Sequence, residues 1–363
     1  MKTRTRVLLA TLAGIGSVVA TKAALRRQRR ISFHDKVVLV TGGSRGLGLL
    51  LAQELAGEGA RVAVCARDEN ELAKAKTLIE AQDQQLHTFV CDLSQRSQIQ
   101  QLIRDIGEQL GPIDVLINNA GVLQAGPMET MTVEDYDWTM AVNFWAPLYT
   151  TLEVLPSMRQ HGAGRIVNIS SIGGKTNSPH LLPYCASKHA LTGLSQGMRI
   201  ELAQHNIFVT TICPNLMQVG SMYRSLMKGQ HRKEFAIAQI LSANPLFSTS
   251  PRRATRWIIE ACRTGEPVVV PSWRGSLLVL LFNLFPNLSQ ELLGLVERFM
   301  PTPDGPESIG TAGKPGMEST SPWAPSLLTV PNELNARKLN ELDENLAQAI
   351  LSRAPAGSSH SHN

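Results

Sequence analysis

The chain has 363 residues, 43% hydrophobic and 18% charged, too apolar for a disordered chain and too charged for a polytopic membrane protein. The formal net charge of +5 comes from one end: residues 1–30 carry eight Lys or Arg and no acid, and the rest has 27 basic against 30 acidic residues. A nucleic-acid surface would spread its basic residues over the folded part, so that partner class is set aside.

Residues 7–21 are uncharged and flanked by basic residues. With Lys22 snorkelling, the apolar stretch runs to Leu25, 19 residues in all. At ~1.5 Å per residue this nearly spans a ~30 Å hydrocarbon core. Residues 1–30 are therefore expected to anchor the chain to a membrane. Arg26, Arg27, Arg29 and Arg30 would keep the following domain in the cytosol. A secretory signal peptide is the rival reading, and a soluble cytoplasmic protein the alternative.

From residue 35 the pattern alternates strand and helix. Strands are expected at Lys36–Val40, Arg61–Cys65, His87–Cys91, Asp114–Ile117, Arg165–Ser170, Phe208–Cys213 and Val268–Val270. Helices are expected at Leu47–Gly57, Glu69–Ala81, Gln95–Leu110 and Tyr184–His205. Short β-branched strands alternating with helices indicate a doubly wound parallel sheet covered on both faces, an α/β Rossmann-type domain over residues 35–275. Residues 276–300 read as an apolar helical extension, 301–331 as a Pro/Gly/Ser-rich linker, 332–351 as an amphipathic helix and 352–363 as a disordered tail. The cysteines at 65, 91, 185, 213 and 262 show no metal-ligand spacing, so reduced thiols and no metal site are expected.

Thr41, Gly42, Ser44, Arg45, Gly46, Leu47 and Gly48 follow the first strand and open a helix. Glycines let a backbone approach a pyrophosphate, and a helix N-terminus favours its charge. The second strand ends on Ala66 and Arg67, where a carboxylate would mark NAD(H). Arg67 with Arg45 suits a 2′-phosphate, so NADP(H) is favoured over NAD(H). Asp92 and Leu93 close the third strand, with Asp92 placed to reach an adenine amino group. Asn119, Ala120 and Gly121 close the fourth, where small residues admit a ribose. Tyr184 and Lys188 stand four apart on a helix and share a face. The ammonium, together with an oxidised nicotinamide, is expected to lower the phenol pKa from about 10, making Tyr184 an acid/base. Ser171, 13 residues earlier, is placed to hold a substrate oxygen.

TGGSRGLG, CDL, NNAG, Asn143, the NISS run and YCASK, in this order and spacing, resemble the short-chain dehydrogenase/reductase family in its common, shorter branch. The resemblance covers about residues 35–270. It implies a seven-stranded Rossmann-type sheet and a catalytic tetrad of Asn143, Ser171, Tyr184 and Lys188. It further implies that Lys188 binds the nicotinamide ribose and that Asn143 holds a water in a proton relay. The helices around 144–160 and 184–205 would pair in a homodimer. Two departures stand out. The family's Pro-Gly with a Thr four residues after the Gly reads Pro214-Asn215-Leu216-Met217-Gln218-Val219 here, so Met217 still offers backbone groups to the nicotinamide amide while Val219 offers no hydroxyl. The chain also runs on for nearly 90 residues.

Residues 216–250 cover the substrate in this family. Met222 and Tyr223, with neighbouring apolar side chains, point to a bulky hydrophobic substrate. The expected activity is therefore interconversion of a carbonyl and an alcohol by hydride transfer. The alternatives are an NAD-dependent alcohol dehydrogenase of the same family, a 3-oxoacyl-carrier-protein reductase, and a non-catalytic dinucleotide-binding scaffold or redox sensor.

Overall fold

The structure is a computed structural model that describes residues 16–17, 20–303, 305 and 310–342. Most of the anchor expected at 7–25, half of the amphipathic helix expected at 332–351, and the 352–363 tail lie outside the described residues.

Seven parallel strands form the central sheet: β1 Val37–Thr41, β2 Arg61–Ala66, β3 Leu86–Val90, β4 Val115–Asn118, β5 Gly164–Ile169, β6 Ile207–Ile212 and β7 Val268–Val269. Their spatial order is β7-β6-β5-β4-β1-β2-β3. Every one lies within a residue or two of the stretch its apolar run marked out. β1, β2 and β4 are apolar at nearly every position because both faces are covered there. Val38, Val40, Val62 and Val64 pack under the helices Gly46–Gly57 and Pro251–Thr264. Val37, Leu39, Ala63 and Cys65 face the helices Arg96–Leu110 and Ala146–His161. The order reverses between β1 and β4, which opens a crevice at the carboxyl ends of these two strands.

All five cysteines are free and buried. Burial pushes their thiols upward, Cys91 and Cys262 to about 12 and Cys213 to about 11, so they pack as small hydrophobes.

Residues 20–29 are helical and dock through Lys22 and Arg26 on Glu266 and Arg30 on Glu260. Among the described residues no single helix is long and apolar enough to cross a membrane; Trp273–Leu284 and Pro286–Glu297 would do so only together, and they bend by 112° at their junction. Trp273, Leu280, Leu284, Leu288, Leu292 and Phe299 of this pair and its end are exposed.

The C-terminal part differs from its compositional reading. Within the expected linker, Lys314–Pro315 pairs antiparallel with Leu226–Met227, which pairs in turn with Gln124–Ala125. The Pro and Gly residues there serve turns that fold back onto the domain. The last described helix is Val330–Lys338, so the apolar periodicity that suggested a helix through 351 is broken after residue 338. Asn340 takes a left-handed φ of 57°, a conformation that ends helices and that Asn tolerates.

Candidate active site

The glycine turn after β1 is built by close backbone approach. The Thr41 hydroxyl accepts from the N–H groups of Asn119 (3.0 Å) and Ala120 (3.1 Å). Asn119 Nδ2 donates to the carbonyls of Thr41 (3.0 Å) and Gly42 (3.1 Å). Gly42 has a φ of +63°, and a Cβ on it would sit 2.9 Å from Ala120 Cα. A Cβ on Gly48 would lie 2.2 Å from the Gly42 carbonyl oxygen. Leu47 is buried against the sheet. The helix that starts at Gly46 has no side-chain cap from Arg45 and no acid in its first turn. Its first-turn amides, capped by no side chain of the preceding residue, and its dipole therefore suit an anion, and the turn fits the pyrophosphate of a dinucleotide.

The basic corner holds one arginine beyond the expected Arg45 and Arg67. Arg67 is exposed. Arg45 Nη1 donates to Glu71 Oε1 at 2.6 Å, Ser44 Oγ donates to Glu71 Oε2 at 3.1 Å, and Arg224 Nη2 stands 3.2 Å from Glu71 Oε1. The pair facing this corner is thus Arg45 and Arg224, drawn together by one buried carboxylate. Neither Glu71 nor Arg224 stood out in the sequence. Glu71 falls three residues after Asp68, which caps that helix, so it reads as an ordinary first-turn acid.

Asp92 Oδ1 accepts from Ser94 N–H at 3.0 Å and shapes its own turn, beside a buried Leu93. Pro214 O accepts from Ile172 N–H at 2.7 Å, which ties the loop after β6 to the loop after β5. Met217 pairs with Thr249, and its carbonyl accepts from Val219 N–H.

The four tetrad residues come together at the carboxyl end of β4 and β5. Asn143 lies in a single wide helical turn, Ala141–Trp145, of the kind often found at functional sites. Its side chain is fully buried. Oδ1 accepts from Val122 N–H at 2.9 Å, and Nδ2 donates to Val122 O at 2.9 Å and Ser187 Oγ at 3.0 Å. Asn143 thus pins the loop after β4 to the helix Leu182–Leu202, which carries Tyr184 and Lys188. Lys188 Nζ donates to Ile169 O at 2.9 Å and lies 5.8 Å from the Tyr184 ring centre. A Cβ on Gly121 would come within 3.2 Å of Asn143 Oδ1 and 3.4 Å of Lys188 Nζ. A Cβ on Gly173 would be 3.5 Å from both Ser171 Oγ and Tyr184 Cε1.

Burial dominates the electrostatics of the Tyr184 and Lys188 pair. Desolvation pushes the Tyr184 phenol up to about 12, opposed by a hydrogen bond with the Ser171 side chain. Desolvation also brings Lys188 down to about 8. Burial thus sets the direction of both groups, with Lys188 held on a backbone carbonyl beside the phenol.

Met222 and Tyr223 do not face this centre. Tyr223 is fully buried, edge-on to Phe235, with its hydroxyl donating to Glu333 Oε1 at 3.2 Å. Met222 packs in the same cluster. Both are withdrawn as substrate contacts, since residues 324–342 take up their side chains. Glu341, also missed in the sequence, lies against the glycine turn. Burial pushes its carboxyl up to about 7, opposed by the Gly220 N–H, Arg45 and Arg224.

Comparison with known proteins places the chain in a family. The short chain dehydrogenase family profile matches residues 36–230. A fatty acyl-CoA reductase of Acinetobacter baylyi is 31% identical over 278 residues, 74% of this chain and 93% of that protein. A tropinone reductase homolog of Arabidopsis thaliana is 34% identical over 215 residues, 59% of this chain and 79% of that protein. A metagenomic short-chain oxidoreductase solved in complex with NADP superposes with a TM-score of 0.54 at 29% identity, covering 67% of this chain and 100% of that chain.

Proposed function

The chain belongs to the short chain dehydrogenase family, and on that premise we propose an NADP(H)-dependent oxidoreductase that interconverts a ketone or aldehyde with its alcohol on a bulky hydrophobic substrate. The observation that carries the reading is the convergence of Ser171 and Tyr184 on one point beside Gly173, with Lys188 and Asn143 behind them.

When bound, the dinucleotide supplies or accepts the hydride. Gly42, Ser44, Gly46, Leu47 and Gly48 would hold its pyrophosphate, Asp92 and Leu93 its adenine, and Asn119, Ala120 and Gly121 a ribose. Pro214 and Met217 would hold the nicotinamide end. In the reducing direction the Ser171 hydroxyl donates to the substrate oxygen and steadies it. Tyr184 then gives its proton to the same oxygen, a role suited to a phenol that burial keeps protonated. Lys188, held by Ile169 O, keeps a positive charge near the phenolate left behind. Asn143 positions the helix that carries both.

Arg45 and Arg224 support NADP(H), because two guanidiniums converge on Glu71 and, once Glu341 leaves the turn, would carry positive charge in that corner. The NADP-bound structural relative is consistent with this. The acyl-CoA reductase relative supports a long apolar substrate. A screen of hydrophobic ketones and aldehydes against NADPH and NADH tests the reading. Turnover favouring NADPH is expected; equal use of NADH overturns the preference.

Two placements belong to the same proposal. Residues 1–30 anchor the chain to a membrane with the domain in the cytosol, and the exposed apolar face from Trp273 to Phe299 lies on the lipid surface beside the anchor. Full recovery in the soluble fraction at low and high salt would refute this. Trp145, Leu152 and Ile200 are exposed on the helices expected to pair, which supports a homodimer; light scattering showing only monomer would refute it.

A further inference from the structure

We infer that residues 339–342 are an intramolecular ligand of the dinucleotide site, so that the C-terminal strap and the cofactor compete for the glycine turn. The inference rests on the reading of that turn given above. Gly46, at the start of the helix, donates its N–H to Leu339 O at 2.9 Å. That amide is one of the uncapped donors an anion would seek. Glu341 places a carboxylate there: a Cβ on Gly46 would lie 2.9 Å from Glu341 Oε1. Its other oxygen accepts from Gly220 N–H at 2.6 Å. A buried carboxylate thus spans the gap between the glycine turn and the loop after β6, where a pyrophosphate would lie.

The contact is built on both sides. Asn340 Nδ2 donates to Ser44 O at 2.9 Å and to Glu71 O at 3.1 Å, gripping the turn and the basic corner together. Leu339 packs on Leu50 and Val219. Val219 is the residue that departs from the family's hydroxyl, and here it provides an apolar seat for the strap. The preceding helix, Val330–Lys338, roots the strap on the substrate-covering segment. Asn335 Nδ2 donates to Gln218 O at 2.6 Å, Asn332 Nδ2 to Ser242 Oγ at 2.8 Å, and Tyr223 to Glu333. Release of the strap would therefore free the turn and loosen that segment in one step. A closed strap raises the apparent dinucleotide Kd by the inverse of the fraction of time it is open.

The test is NADPH binding to the full-length chain by fluorescence titration, with Glu341→Ala and Asn340→Ala made separately and their folding checked by thermal melting. Each variant removes a different contact to the turn. Each should bind NADPH about tenfold or more tightly. In the wild type, saturating NADPH should speed amide hydrogen exchange over residues 330–342. Folded variants that bind NADPH no more tightly than wild type, or slower exchange of 330–342 on binding, would overturn the competition alone. Failure of the wild type and both variants to bind either NADPH or NADH would overturn the site reading and the competition with it.

Discussion

Ser171 Oγ and Tyr184 Cε1 are each 3.5 Å from one point, the position a Cβ would take on Gly173. The nearest neighbour of that point is Cys185 Sγ at 3.3 Å, so Gly173 lets the turn after β5 pack closely on the helix that carries Tyr184. Gly173→Val should push that turn and helix apart. Misplacement of about 1 Å costs roughly 10²-fold in rate, so kcat should fall on that scale while NADPH still binds. Steady-state kinetics with a binding titration checks this; unchanged kcat would separate the pair from the reaction.

The basic corner gives a second expectation. Arg45 is held 2.6 Å from Glu71, and Arg224 shares the same carboxylate. Arg45→Ala should weaken NADPH by roughly tenfold, about the worth of a charge-assisted hydrogen bond, and leave NADH nearly unchanged. Competitive titration of the two dinucleotides measures it. Equal weakening of both would mean that Arg45 acts on the turn and not on a 2′-phosphate.

A third concerns pH. His180 is buried between Glu234 (Nδ1 to Oε1, 2.6 Å) and Glu297 (Nε2 to Oε1, 3.1 Å). The two carboxylates raise its pKa above the usual imidazole value against the opposing effect of burial. A group whose folded pKa is raised contributes stability that is complete below its unfolded pKa, about 6.5. That stability is lost as pH rises through the folded value. Glu297 ends the apolar helix Pro286–Glu297, so the loss also loosens that helix. The Tm gap between wild type and His180→Asn should therefore narrow from pH 6 toward alkaline pH. Asn tolerates the left-handed φ of 61° at this position. A gap constant with pH would contradict the charged pair.

Much of this was legible beforehand, and the reasons are local. β1, β2 and β4 are nearly continuous apolar runs, β3, β5 and β6 are β-branched runs broken by polar residues such as His87, Asn168 and Thr210, and all end at glycines or polar turns, so periodicity and punctuation located them. Tyr184 and Lys188 share a helical face whatever surrounds them. What was missed depends on distant segments. Glu341 reaches a turn almost 300 residues earlier in the chain, and nothing near it in sequence marks it as a partner of Gly46. Tyr223 and Met222 looked like pocket residues because the packing of residues 324–342 against them was not visible. The pairing of Tyr184 with Lys188 is legible from spacing, whereas the burial that moves both groups is a property of the whole site.

The central claim is that Tyr184 is the proton donor of a carbonyl reduction. Its most direct test is NADPH consumption by the full-length chain and by Tyr184→Phe, with the best substrate from a panel of hydrophobic ketones and aldehydes. The Phe ring preserves packing and removes only the hydroxyl. Wild-type turnover should fall by roughly 10²-fold or more in the variant, with NADPH affinity unchanged. Full turnover by Tyr184→Phe would contradict the account, as would a wild type that binds NADPH tightly and reduces none of the panel.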